Sequence, residues 1–135
     1  MDQSKRDRLV AALSSHPQTQ VVKIETFFDG NDDLGSIGCN LEQHPGIEAF
    51  RSTFERIAQR PDVEAIYAQI AEVDPGEGSW PFADTVLVVG SISISELASE
   101  VAGLEPDEVA SAADLGAAPE LAAVHSSPIL AVWWD

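Results

Sequence analysis

Residues 44–61, HPGIEAFRSTFERIAQRP, spell out a helix with a single apolar side. Ile47, Phe50, Phe54 and Ile57 recur at the three- and four-residue spacing that lines one helical face. Pro45 suits the first turn, where its missing N–H costs nothing, and Pro61 stops the helix. Arg51, Arg56 and Arg60 fall on the other faces. A one-sided helix buries its stripe only against a second layer, so the flanking segments must supply one.

Those segments read as strands. In QVVKIETFF, residues 20–28, Val22, Ile24 and Thr26 alternate with Val21, Lys23 and Glu25, and β-branched residues favour the extended chain. DVEAIYAQIAEVD, residues 62–74, alternates Ile66, Ala68 and Ile70 against Ala65, Tyr67, Gln69 and Ala71. TVLVVGSI, residues 85–92, is nearly all apolar, as a central strand should be. ILAVWWD closes the chain as a last strand, in which Trp133 and Trp134 must point to opposite sheet faces. One of them then faces the helices and the other the open side, with Tyr67 as a neighbour.

Two more helices complete the pattern. SISISELASEVAGL, residues 91–104, opens with the capping pair Ser93 and Glu96, buries Leu97 and Val101, and stops at Gly103. SKRDRLVAALS, residues 4–14, reads as an N-terminal helix ended by His16-Pro17. SIGCNL suggests a short strand at 36–41, PDEVASAAD a helical turn at 106–114, and residues 115–128 an Ala- and Pro-rich connection. Leaving out the first helix, the order is β-α-β-β-α-β. The expected fold is therefore α+β: a ferredoxin-like antiparallel sheet with helices on one face, plus the N-terminal helix. At 135 residues, with no linker long enough to separate two units, a single domain spanning 1–135 is expected.

Charge narrows the functional classes. All seven Lys and Arg lie in residues 1–60, whereas residues 61–135 hold fourteen of the 23 acids and no basic residue. The net charge of −16 repels nucleic acid and anionic lipid, so neither is an expected partner, and a basic protein is. Genome composition or adaptation to salt produces the same acidic, lysine-poor, alanine-rich profile. No run of eighteen apolar residues occurs, and LVAAL is too short for a signal core, so a cytoplasmic location is expected. A single cysteine agrees with that compartment.

The segment FFDGNDDLGSIGCNL, residues 27–41, carries the densest candidate chemistry. Asp29, Asn31 and Asp33 occupy positions one, three and five of a calcium-loop pattern, with Asp32 between them. The pattern breaks where Leu34 replaces glycine at position six and Asn40 replaces glutamate at position twelve. Asp, Asn and Gly are also ordinary turn residues, and no metal or cofactor is expected. Cys39 has His44 five residues on, but an acidic setting disfavours the thiolate, and burial in the core is expected for it instead. No glycine-rich phosphate loop, nucleophile elbow or zinc spacing is present. In the loop 74–84, Trp80 and Phe82 flank Pro81, either as a binding surface or folded back as cover.

The stretches FFDGNDDLGSIGCNLEQHPG, WPFADTV and the terminal VWWD resemble those of a group of small, uncharacterised bacterial proteins, over most of residues 21–135. That resemblance implies no activity; it implies that the three stretches form one working or structural unit. Two functional readings follow from the residues. The first is a non-enzymatic acidic interaction module of the inhibitor or immunity type that binds a basic partner. The second is a small enzyme or ligand-binding domain with a site at Asp29–Asp33, using a divalent cation. Self-association through an edge strand is a third expectation.

Overall fold

Strand β3, Phe82–Gly90, organises the molecule because it is apolar on both sides: Val86, Leu87, Val88 and Val89 are all fully buried. The computed structural model describes residues 1–18, 20–117 and 119–135. On one side of β3 lie β2, Val63–Glu72, and then the three-residue edge strand β1, Val21–Lys23. On the other lie β5, Ile129–Trp133, and then the edge strand β4, Glu108–Ser111. The five strands run in the order β1-β2-β3-β5-β4, and every neighbouring pair is antiparallel.

The register explains the core. Val22, Ala68, Val86, Val132 and Val109 pair in one row across all five strands. Ile66, Val88 and Leu130 form the next row on that face. Against them pack α1, Gln3–Ser15, through Leu9 and Leu13; α2, Ile24–Phe28; α3, Ile47–Ala58, through the predicted Ile47, Phe50, Phe54 and Ile57; and α4, Ile94–Val101, through Leu97 and Val101. The opposite face is covered only in its middle. There Ala112, Leu115 and Leu121 of residues 112–122, including the short α5, Pro119–Ala122, lie over Leu87 and Ala131.

The α+β class and the antiparallel sheet are as the sequence implied. The strand order is not ferredoxin-like: that order places the first strand inside a four-stranded sheet, whereas β1 here is an edge of five. Three local readings change with it. Residues 24–28 turn from strand into α2, because a helix buries Ile24, Phe27 and Phe28 together, the two rings edge-to-face at 5.1 Å. In a strand the adjacent rings would face opposite sides. Strand β4 takes the middle of residues 106–114, since pairing with β5 places Val109 beside Val132, and a hydrogen-bonded turn begins at Ser111, whose carbonyl accepts from the Asp114 and Leu115 N–H groups. No strand forms at 36–41, where Ile37 is fully buried within an irregular path. The expected connection over 115–128 includes Ala118, which lies outside the described residues; α5 occupies part of the remainder.

Few cations hold the layers, and each does so between distant segments. Arg60 grips Asp62 with two nitrogens, at 2.9 Å each, and reaches Glu96 of α4 at 2.6 Å. The Ser93 hydroxyl caps α4 by accepting from the Glu96 N–H, while the Glu96 carboxylate goes to Arg60. Arg6, buried on α1, binds Asp74 and donates to the carbonyls of Gly76 and Ser79, at 3.0 Å each.

Two predictions follow from these contacts. A Cβ on Gly90 would sit 2.2 Å from the carbonyl oxygen of Asp62, which accepts from the Ser91 N–H at 2.8 Å. Gly90→Ala should therefore cost about 3 kcal/mol or more by urea denaturation, at the upper end for overpacking. The hydrogen bonds from Arg60 hold the Asp62 carboxyl below the usual aspartate range. A lowered native value contributes stability that is complete above the unfolded pKa of about 3.9 and is lost as pH falls through the native one. Asp62→Asn should lower stability at pH 7 and flatten the acid limb of a stability–pH curve.

Candidate functional site

The aspartate-rich segment spends its polar groups on itself and its neighbours. Asp29 pairs with Lys5 at 2.7 Å, and that lysine holds its carboxyl below the usual range. Asn31 is buried; its amide donates to the Ser36 hydroxyl at 2.9 Å and its oxygen accepts from the Asp33 N–H at 2.9 Å. Asp32, largely exposed, reaches the amino group of Met1 at 2.9 Å. Asp33 caps the 3₁₀ turn Leu34–Ser36 through the Gly35 N–H, and its second oxygen accepts from the Trp80 N–H, both at 2.9 Å.

The structure thus joins two of the stretches that the sequence singled out, but as a brace. Trp80 is 1% exposed and serves as cover, and Phe82 is half-buried at the start of β3. The Trp80 indole N–H has no acceptor among the described residues, so apolar contact holds the ring. His44 is also a brace. Its Nδ1 accepts from the Gly46 N–H at 2.9 Å and its Nε2 donates to the Ile37 carbonyl at 2.8 Å, an assignment that the partners dictate. Cys39 is exposed, contrary to the buried role expected of it, because its turn follows Ile37 out of the core. Among the described residues, no three His, Cys, Asp or Glu side chains gather where a metal ion could sit.

Chemistry that faces outward lies on the second face of the sheet. Trp134 is buried against Phe50 and Phe54 and donates its indole N–H to the Leu104 carbonyl at 2.9 Å. Trp133 points the other way and is half-buried. It sits in one cross-strand row with Gln69, Thr85 and Glu108. With Asp84 and Leu115 these line a groove of about 350 Å³. Among the described residues, neither Asp84 nor Glu108 forms an ion pair. Tyr67 shares this face one row away, opposite Leu87.

That one of the two adjacent tryptophans faces outward was legible in the sequence, though not which. Asp84, Thr85 and Glu108 were not, because the strand boundaries at 82 and 108 were unseen. The sequence-chosen Asp29, Asn31, Asp32 and Asp33 lie in a different region, where Asn31 and Asp33 bond one another and Asp29 and Asp32 bond residues 5 and 1.

The chain matches the model of the uncharacterized protein YfbO family over residues 4–130. It is 32% identical over 89 residues to the uncharacterized protein YfbO of Escherichia coli (strain K12); the match covers 65% of this chain and 62% of that relative's length. No solved structure matches. The chain belongs to the YfbO family, a group of small bacterial proteins.

The loop geometry separates two neighbouring aspartates. Asp33→Ala removes a cap and the acceptor of a part-buried N–H, so a loss of about 2 kcal/mol is expected in chemical denaturation. Asp32→Ala removes one exposed pair and should change stability by no more than about 0.5 kcal/mol.

Proposed function

We propose that this YfbO-family protein is a non-enzymatic, acidic interaction module, of the inhibitor or immunity kind, that engages a basic protein through the groove around Trp133. The observation that carries this reading is the fate of the three tryptophans. Trp80 and Trp134 are 1% and 2% exposed, and only Trp133 is left half-open, beside the uncompensated carboxylates of Asp84 and Glu108. A cation over an indole face gains about 0.5–2 kcal/mol, more as water leaves, and adjacent carboxylates add charge complementarity. An arginine or lysine side chain of the partner satisfies both.

The surrounding field supports the same partner. Residues 61–135 supply no basic side chain, so β2 through β5 present only negative charge to an approaching molecule. Such a field speeds encounter with cations and disfavours nucleic acid and anionic lipid. No helix among the described residues is long and apolar enough to cross a membrane, and a cytoplasmic site of action fits this reading.

A synthetic peptide rich in Arg and Lys tests the proposal. At low salt it should bind with a change in tryptophan fluorescence, and binding should weaken several-fold when salt is raised to physiological strength. Trp133→Phe should abolish the fluorescence change, and Asp84→Asn with Glu108→Gln should weaken binding further. A peptide that fails to bind at low salt, or that binds Trp133→Phe with the same optical response, would overturn it.

A further inference from the structure

Beside the groove, across residues 112–117, the same face holds a second concavity of different character. It measures about 590 Å³ and lies between the β4–β5 pair and residues 112–128. Ile129 lies at its floor; its rim is built from Ala112, Gly116, Ala117 and Ala122, whose short side chains cannot fill the space above the sheet. A cavity of this volume, largely apolar with a few polar groups at its edge, is the ordinary form of a small-molecule site.

One wall is held in place by a polar chain that the groove does not use. His125 lines the cavity, its Nε2 lies 3.0 Å from the Tyr67 hydroxyl, and its Nδ1 lies 3.6 Å from a Glu64 oxygen. Its ring meets Tyr67 edge-on at 5.8 Å. The Nε2 contact with Tyr67 ties His125 to β2 at the cavity wall, with Glu64 of the same strand on the Nδ1 side. Ser111 accepts from the Asp114 N–H at 3.2 Å, leaving its own hydroxyl proton for another acceptor, and Ser127 also reaches the space.

We infer that this cavity binds a small, uncharged, mostly apolar molecule bearing one hydrogen-bonding oxygen. The charge of the occupant follows from the lining. Among the described residues, no Lys or Arg lines the space to pair an anion and no carboxylate lines it to pair an ammonium. A charged ligand of either sign would give up its hydration without return, whereas a hydroxyl or carbonyl meets Ser111. The site is distinct from the acidic groove around Trp133 and does not depend on that reading.

The probe is N-phenyl-1-naphthylamine, an uncharged dye that brightens in apolar surroundings. It should bind with one-to-one saturation. 1-Naphthalenemethanol should displace it, and 1-naphthoate and 1-naphthylmethylamine should compete at least tenfold less well. Ala122→Trp and Ala113→Trp, at exposed positions on the rim, should each weaken binding tenfold or more with little change in melting temperature. Tyr67→Phe, which frees His125, should weaken it several-fold. Saturating Arg- and Lys-rich peptide should leave the dye bound. Non-saturating binding, equal competition by the charged analogues, or full binding by both tryptophan variants would overturn the inference. So would sedimentation showing that a second copy of the chain closes the cavity.

Discussion

A strand that is apolar on both sides cannot tolerate water on either, and β3 imposes that condition on everything around it. Its inward row is met by helices α2, α3 and α4 carrying Phe27, Phe50, Phe54 and Leu97, all fully buried. Its outward residue Leu87 is covered, among the described residues, by the smaller side chains of Ala112, Leu115, Ala117 and Leu121. The difference in side-chain size between the two covers is what shapes the molecule. Large rings pack the first interface. Alanine and glycine over the second leave space on either side of residues 112–117, and both outward-facing concavities are consequences of that thin cover.

Charge is distributed by the same architecture. Arg6, Arg56 and Arg60 come from the first 60 residues, yet they pair with Asp74, Glu100, Asp62 and Glu96 from the rest. The available cations are therefore used on the helical side and at the β2–β3 loop, to hold layers together. None reaches Asp84 or Glu108. The carboxylates beside Trp133 are thus left without a cation because of which pairs form elsewhere, not because of extra acids there.

Much of this was readable in advance where periodicity was strong. The stripe of α3, the alternation in β2, the apolar run of β3 and the Ser93 cap of α4 each carry their structure locally. The failures occur where a local preference met a tertiary demand. IETFF has β-branched character, but two adjacent phenylalanines needed one core. EVAS has helix formers, but β5 needed a partner. Asp29, Asn31, Asp32 and Asp33 pose a different difficulty: they have the chemistry of ligands and the same chemistry makes turns. His125 stands in an alanine-rich stretch with no period, and nothing short of the fold could place it beside Tyr67.

Arg6 gives the helical layer an unexpected dependence. It holds Gly76 and Ser79 by their carbonyls, next to Trp80, whose N–H is held in turn by Asp33. Asp2 and Lys5 of the same N-terminal stretch contact Gly30 and Asp29. The first helix is thus a clasp over two loops that meet only beneath it. The amides of Gly35 and Trp80 should therefore lose protection from hydrogen exchange together with those of α1, and proteolysis at either loop should report the departure of the helix.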